Sequence, residues 1–257
     1  MVVDVTAATR LAIALRSLTI QASWNYQTLL GAGFAFALLP ALRRAYARDP
    51  EELAVAVGRH ADFFNAHPYF TSIALGAVAR LEADGADPEV IRRLKTALMS
   101  PLGTLGDALV WARWRPLCAF LSIAAFAAGL PWWIAITLFL GLYNAAHFPL
   151  RLWGVAFGWH QGLDVGHALT RSPVRRLPDR LTLPLAAVMG AALPLFVVAL
   201  LRTEDSLAPA WAAGALVAAA GLRWPGWTGG LSTAALVGSA AAFALWSGVA
   251  HVVGVAP

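Results

Sequence analysis

Between Leu117 and Leu150 the chain carries no Asp, Glu, Lys or Arg. A membrane crossing by an α-helix needs about 20 predominantly apolar residues, so this stretch is long enough for one crossing and for part of a second. Composition points the same way: 59% of the 257 residues are apolar, 13% are charged and the mean hydropathy is +0.65. Soluble domains run at roughly 45–50% apolar and about 25% charged. A water-soluble chain of this size cannot hide so much apolar surface, so lipid is the solvent for much of it.

The charges sit elsewhere. Residues 1–116 hold 22 of the 33 charged side chains. Two regions follow: amphipathic and re-entrant helices over 1–116, and transmembrane helices over 117–257. The formal net charge of +5 and pI near 10.1 do not signal a nucleic-acid partner, because no dense basic patch with interleaved aromatics occurs. The basic residues fall in short clusters between apolar stretches (Arg43-Arg44-Arg48, Arg92-Arg93-Lys95 and Arg171-Arg175-Arg176-Arg180), as in loops kept on the cytoplasmic side of a bilayer. The single cysteine, Cys118, excludes an internal disulfide and a multi-thiolate metal site. Met1 to Arg10 lacks a basic region followed by an apolar core, so no cleavable signal peptide is expected.

Helical periodicity runs from Ala12 to Leu39, where Pro40 is expected to end it, and from Glu52 to Leu81, interrupted at Pro68. Neither is apolar all round for the length of a simple span, so each lies at the interface or is buried against protein. After the solvated turn Ala83–Pro88, Asp87 reads as an N-cap with Pro88 first in a helix to about Met99. Leu117–Leu130 and Trp132–Phe148, divided by Gly129-Leu130-Pro131, form either a hairpin or one kinked segment. Further spans are expected at Leu183–Leu201, Leu207–Leu222 and Leu231–Val253. Trp132, Trp133, Trp211, Trp224, Trp227 and Trp246 lie near their ends as an interfacial belt. No alternating pattern marks a strand. The fold class is an all-α, polytopic membrane protein.

Two breaks could serve a polar ligand. From Met99 to Asp107, Pro101, Gly103 and Gly106 argue against a continuous helix; the segment is either unwound backbone at membrane depth, with Asp107 beside it, or an ordinary turn at the water interface. From Phe63 to Tyr69, Asn65 and His67 stand among aromatics, suited either to sugar hydroxyls or simply to capping the break before Pro68. An ionised Asp107 needs a cation, and Arg115 is the candidate. Gly154, Gly158, Gly162 and Gly166 recur every fourth residue, a smooth face for close helix packing. His60 and His67, like His160 and His167, are seven apart, about 10 Å along a helix and too far to share a metal ion. No catalytic motif is present, and neither a metal nor a cofactor is expected.

Several of these pieces together resemble the IID components of the mannose/fructose/sorbose phosphotransferase family. They are Ser23-Trp24-Asn25-Tyr26, Gly33-Phe34, Leu39–Arg44, Arg59-His60 through Tyr69, the run Met99–Asp107 with Trp111 and Arg115-Pro116, Tyr143-Asn144, and Trp153–Gly158 ending in Gly162-Leu163-Asp164. The resemblance implies a multi-pass subunit of the bacterial plasma (inner) membrane. It would pair with a IIC subunit of related fold in inverted orientation, as a trimer of pairs, and would translocate a mannose-like hexose. Separate cytoplasmic IIA and IIB components would supply the phosphoryl group, so no catalytic residue is expected in this chain. Asn65, His67, Gly103, Gly106, Asp107, Arg115 and Asn144 become the candidate sugar-site residues. Ser100 stands where the family usually has glycine and Ala108 where it usually has proline, and the part after about Ser172 resembles the family only in being apolar. The same fold could instead serve as a non-transporting scaffold or regulatory subunit.

Overall fold

Three helices begin where the sequence supplies a side-chain acceptor for an otherwise unbonded amide. Thr6 Oγ1 accepts from Thr9 N–H ahead of α1 (Ala7–Arg16). Asp49 accepts from Glu52 N–H ahead of α3 (Pro50–Ala61), and Asp87 from Glu89 N–H ahead of α5 (Pro88–Gly106). Proline stands first in both of the latter, where its missing N–H costs nothing. The computed structural model describes residues 5–201 and 237–238, and no strand forms among them. The remaining helices are α2 (Gly31–Ala45), α4 (Thr71–Ala83), α6 (Arg115–Ala127), α7 (Trp132–Gln161), α8 (Val165–Arg171) and α9 (Leu177–Leu201). Between α5 and α6, Asp107–Trp114 winds as a wider π-helix.

The periodicity from Ala12 to Leu39 is not one helix. α1 stops at Arg16, and α2 starts only at Gly31. Between them Asn25 Oδ1 accepts from the amides of Gln27 and Thr28, both at 2.9 Å, and Leu29 takes a left-handed φ of 50°. This local side-chain turn competes with the helix and wins. Pro40, expected to end the helix, lies inside it. A proline at this position deprives the carbonyl of Phe36 of its helical partner. Arg16 Nη1 donates to that carbonyl at 3.3 Å, which repairs the defect from a neighbouring helix.

The run Met99–Asp107 is likewise helical and not unwound. Leu98 and Leu102, on either side of Pro101, are 2% and 0% exposed. Burial of that face outweighs the proline penalty, because tertiary packing supplies most helix stability in proteins.

The described chain forms two compact units. The first comprises residues 5–108 and 145–175. At its centre is α4, with every residue except Arg80 buried. The α2 helix packs on α1, α3 and α4. Two loops are stitched together where Leu30 N–H donates to Phe64 O and Phe64 N–H donates to Thr28 O. Among the described residues, the second unit contains 109–144, 176–201 and 237–238. There α6 lies along α9, and Trp114 Nε1 meets the carbonyl of Tyr143 at 3.5 Å. That contact, symmetric about the turn at Gly129 (φ 94°), makes α6 and the start of α7 a hairpin.

Two stretches, Pro88–Ala127 and Trp132–Leu193, are long and apolar enough to cross a membrane, and the apolar window of the second is not buried by protein. Trp132 and Trp133 are 66% and 55% exposed at the start of α7. The expected spans at 207–222 and 231–253, and Trp211, Trp224, Trp227 and Trp246, lie outside the described residues apart from Val237 and Gly238. The chain is an all-α membrane protein.

Candidate functional site

The break between α3 and α4 runs from Asp62 to Phe70 and presses against α5. Asn65 donates its backbone N–H to Met99 Sδ at 3.3 Å, while its side chain stays exposed. His67 is 2% exposed, and its Nδ1 accepts from Tyr69 N–H at 3.2 Å. The His67 carbonyl accepts from both N–H and Oγ1–H of Thr71, which fixes the start of α4. A Cβ at Gly106 would lie 2.1 Å from His67 Cβ and 2.2 Å from its Cγ. Gly106 is therefore a point of close approach between the two segments. Gly103 faces open space.

Asp107 is exposed, and no ion pair involves it or Arg115 among the described residues. Asn144 Nδ2 donates to the Leu140 carbonyl of its own helix at 2.8 Å. Arg115 and Asn144 belong to the second unit, whereas Asn65, His67, Gly103, Gly106 and Asp107 belong to the first.

Behind His67 lies a polar core that the sequence reading missed. The Tyr69 ring stacks on His147 at 4.0 Å, with Arg151 4.9 Å from the Tyr69 centroid. Arg151 is 3% exposed; its Nε donates to His147 Nε2 at 2.8 Å, and its Nη1 donates to the carbonyl and Oγ of Ser17. Arginine only donates, so His147 is the neutral tautomer with its proton on Nδ1. The one available signal was Arg151 itself, a lone cation within an apolar run.

A second cluster surrounds Glu82 at the end of α4. Its carboxylate accepts from Tyr46 Oη at 2.6 Å, Arg59 Nη2 at 2.9 Å and His60 Nε2 at 2.7 Å. Arg59 also donates to Tyr46 Oη at 2.7 Å and lies 3.6 Å from Glu52. Burial pushes the Glu82 carboxyl up, but hydrogen bonds from His60, Tyr46 and Arg59 outweigh it and hold the pKa at about 2. Burial together with the Glu82 carboxylate raises the Tyr46 phenol to about 12. Burial lowers the His60 pKa despite its bond to Glu82, so His60 donates as a neutral imidazole.

The repeated glycines divide by function. A Cβ at Gly154 would meet Ser72 Oγ at 2.0 Å, and one at Gly158 would meet the Ile73 carbonyl at 2.0 Å, so α7 crosses α4 backbone to backbone. Gly76 answers from the other side, 2.1 Å from the Val155 carbonyl. Gly162 takes φ 53° just after α7 ends, and Gly166 faces open space. Among the described residues no group of three or more His, Cys, Asp or Glu could hold a metal ion.

Fold and site define a helical membrane component with polar residues buried inside its own packing. Residues 4–204 match the family described as the PTS system mannose/fructose/sorbose family IID component. The chain belongs to that family. It is 33% identical over 184 residues to the mannose-specific EIID component of Escherichia coli K12, covering 70% of this chain and 64% of the relative. It is 30% identical over 195 residues to the sorbose-specific EIID component of Klebsiella pneumoniae, covering 74% and 67%. Among solved structures it resembles a chain of the mannose transporter ManYZ in complex with microcin E492, with a TM-score of 0.59 and 32% identity over 74% of this chain and 70% of that one. A second membrane-protein structure gives a TM-score of 0.66 at 32% identity, covering 73% and 70%. The match thus spans somewhat less than two thirds of the Escherichia coli relative.

Proposed function

We propose that this chain is the IID half of a sugar permease of the bacterial inner membrane. It pairs with a IIC subunit, as a trimer of such pairs, to translocate a mannose-like hexose that cytoplasmic IIA and IIB components phosphorylate. The observation that carries this reading is the family match across residues 4–204. Within the first unit, the proposed sugar-contacting set is Asn65, His67, Gly103, Gly106 and Asp107. The division into an amphipathic and re-entrant region, 1–116, and a transmembrane region, 117–257, is part of the same proposal.

Asp107 is exposed and makes no ion pair among the described residues, so Asp107→Asn removes an acceptor without stranding a partner there. Hydrogen bonds to charged groups contribute about 1.5–3 kcal/mol, so sugar uptake at limiting concentration should fall roughly tenfold or more. Complementation of a strain lacking its own IID, with radiolabelled mannose uptake and a melt of the purified subunit, is the measurement. Unchanged uptake removes Asp107 from the path. No uptake by the unaltered chain in the presence of IIC, IIB and IIA points instead to a scaffold or regulatory subunit.

The basic segment after α8 should face the cytoplasm. Ser172 is 8% exposed and a poor reporter, whereas Arg175 is exposed. In a Cys118→Ala background, Arg175→Cys should resist an impermeant thiol reagent on intact cells and react after lysis. Labelling from outside reverses the assigned orientation.

A further inference from the structure

The α1 helix turns an apolar stripe away from the rest of the first unit. Thr9, Ile13 and Ala14 are buried where it packs on α2 and α4. Ala8, Leu11 and Leu15 are exposed, the two leucines at 48% and 55%. Their spacing of three and four residues sets them one above another along a single helix face. Leu18 extends the row into the turn that follows and is exposed too. Scattered leucines on a surface need no explanation, whereas a row of them on one helix is a face that meets something apolar.

Charge narrows what that is. Residues 5–48 contain Arg10, Arg16, Arg43, Arg44 and Arg48 and not one carboxylate side chain. At about 3.6 residues per turn, Arg10 and Arg16 fall on opposite flanks of the leucine row. Arg10 lies over the Trp159 ring, 5.4 Å from its centroid, and Arg16 lies over Phe36 at 4.7 Å. Neither forms an ion pair among the described residues. An arginine resting on an aromatic face keeps N–H groups at the edge of its plane for an anion.

An apolar protein helix laid on this face would cover the leucines but leave both guanidinium charges unmet. An anionic bilayer surface meets both needs, because leucines enter the acyl boundary while arginines reach up to the phosphates. We propose that α1 lies flat in the headgroup region of an anionic leaflet, with Ala8, Leu11 and Leu15 at the acyl boundary and Arg10 and Arg16 on lipid phosphates. The leaflet is the cytoplasmic one, which is negatively charged and is the side where basic clusters such as Arg43, Arg44 and Arg48 are retained. The inference concerns lipid contact and stands whether or not the chain transports sugar.

The test places a bimane fluorophore at Ala8→Cys in a Cys118→Ala background of the full chain. The protein is reconstituted in vesicles of equal parts phosphatidylcholine and phosphatidylglycerol, with one lipid at a time brominated on its acyl chain near the headgroup. Brominated phosphatidylglycerol should quench the fluorophore about fivefold more strongly than brominated phosphatidylcholine, the factor equivalent to ~1 kcal/mol per basic residue at an anionic surface. The preference should shrink towards equality in Arg10→Gln. It should also shrink at about 1 M salt, where the Debye length falls to about 3 Å. The salt arm decides the matter even if Arg10→Gln fails to fold. Three results overturn the proposal. Quenching by neither lipid puts the face in water or against protein; equal quenching by both makes the contact apolar only; and a preference that survives both the salt and Arg10→Gln removes the arginines from it.

Discussion

Gly158→Ala should lower the melting temperature of the purified subunit markedly, while Gly166→Ala leaves it unchanged or slightly higher. The new methyl at 158 would sit 2.0 Å from the Ile73 carbonyl oxygen and 2.8 Å from Ala77 N. Both obstacles are backbone atoms of α4, which cannot rotate away as the tip of a side chain can. α7 and α4 must separate, and the contacts around the crossing go with them. Overpacking costs about 1–3 kcal/mol, and a backbone obstacle belongs at the upper end. At about 2–4 °C per kcal/mol for a chain of this size, the loss is on the order of 5–10 °C. At Gly166 no described atom lies within 4 Å of the added methyl, and alanine is the better helix former by about 0.5–1 kcal/mol. Thermal melts of the two variants side by side are the measurement. Equal melts would mean that α7 does not cross α4 at Gly158.

Glu82→Gln should be the most damaging single change to the first unit, and its effect should depend on pH. The carboxylate accepts from three side chains and its own side chain is 1% exposed. Removing one partner of such a buried pair costs about 3–5 kcal/mol, because Arg59 loses its principal counter-charge. The folded pKa of about 2 lies below the ordinary 4.5. The contribution of the charged form is therefore complete above about pH 4.5 and fades as pH falls through 2. The gap in denaturation midpoint between the unaltered chain and Glu82→Gln should be full at neutral pH and narrow across that interval. A constant gap from pH 7 to pH 3 would show that packing, not ionisation, sets the cost.

The sequence showed the class of fold and several boundaries because these depend on local chemistry. Asp87 with Pro88 marks the start of α5, and Gly129-Leu130-Pro131 separates α6 from α7. What it misplaced depends on distant partners. Pro40 reads as a terminus unless Arg16 is known to reach the Phe36 carbonyl. Gly106 reads as a helix breaker, yet it is small because the His67 ring lies against it. Gly76 carries no periodic signal and is required only by the α7 backbone. The polar clusters follow the same logic: Tyr46, Arg59, His60 and Glu82 come from separate elements, so their proximity exists only in the fold. Arg151 and Ser17 are 134 residues apart.

The burial of α4 also bears on motion. Of its thirteen residues only Arg80 is not buried, and the α4 backbone is gripped at Ile73 and Ala77 by Gly158 of α7. Amides in such an element exchange with solvent only through large-scale opening, whereas fraying ends and exposed turns exchange through small local excursions. α4 is thus the fixed frame of the first unit. Local opening should instead concentrate in the thinly covered parts of that unit, such as the Ser23–Tyr26 turn, where Trp24 and Tyr26 are 46% and 88% exposed.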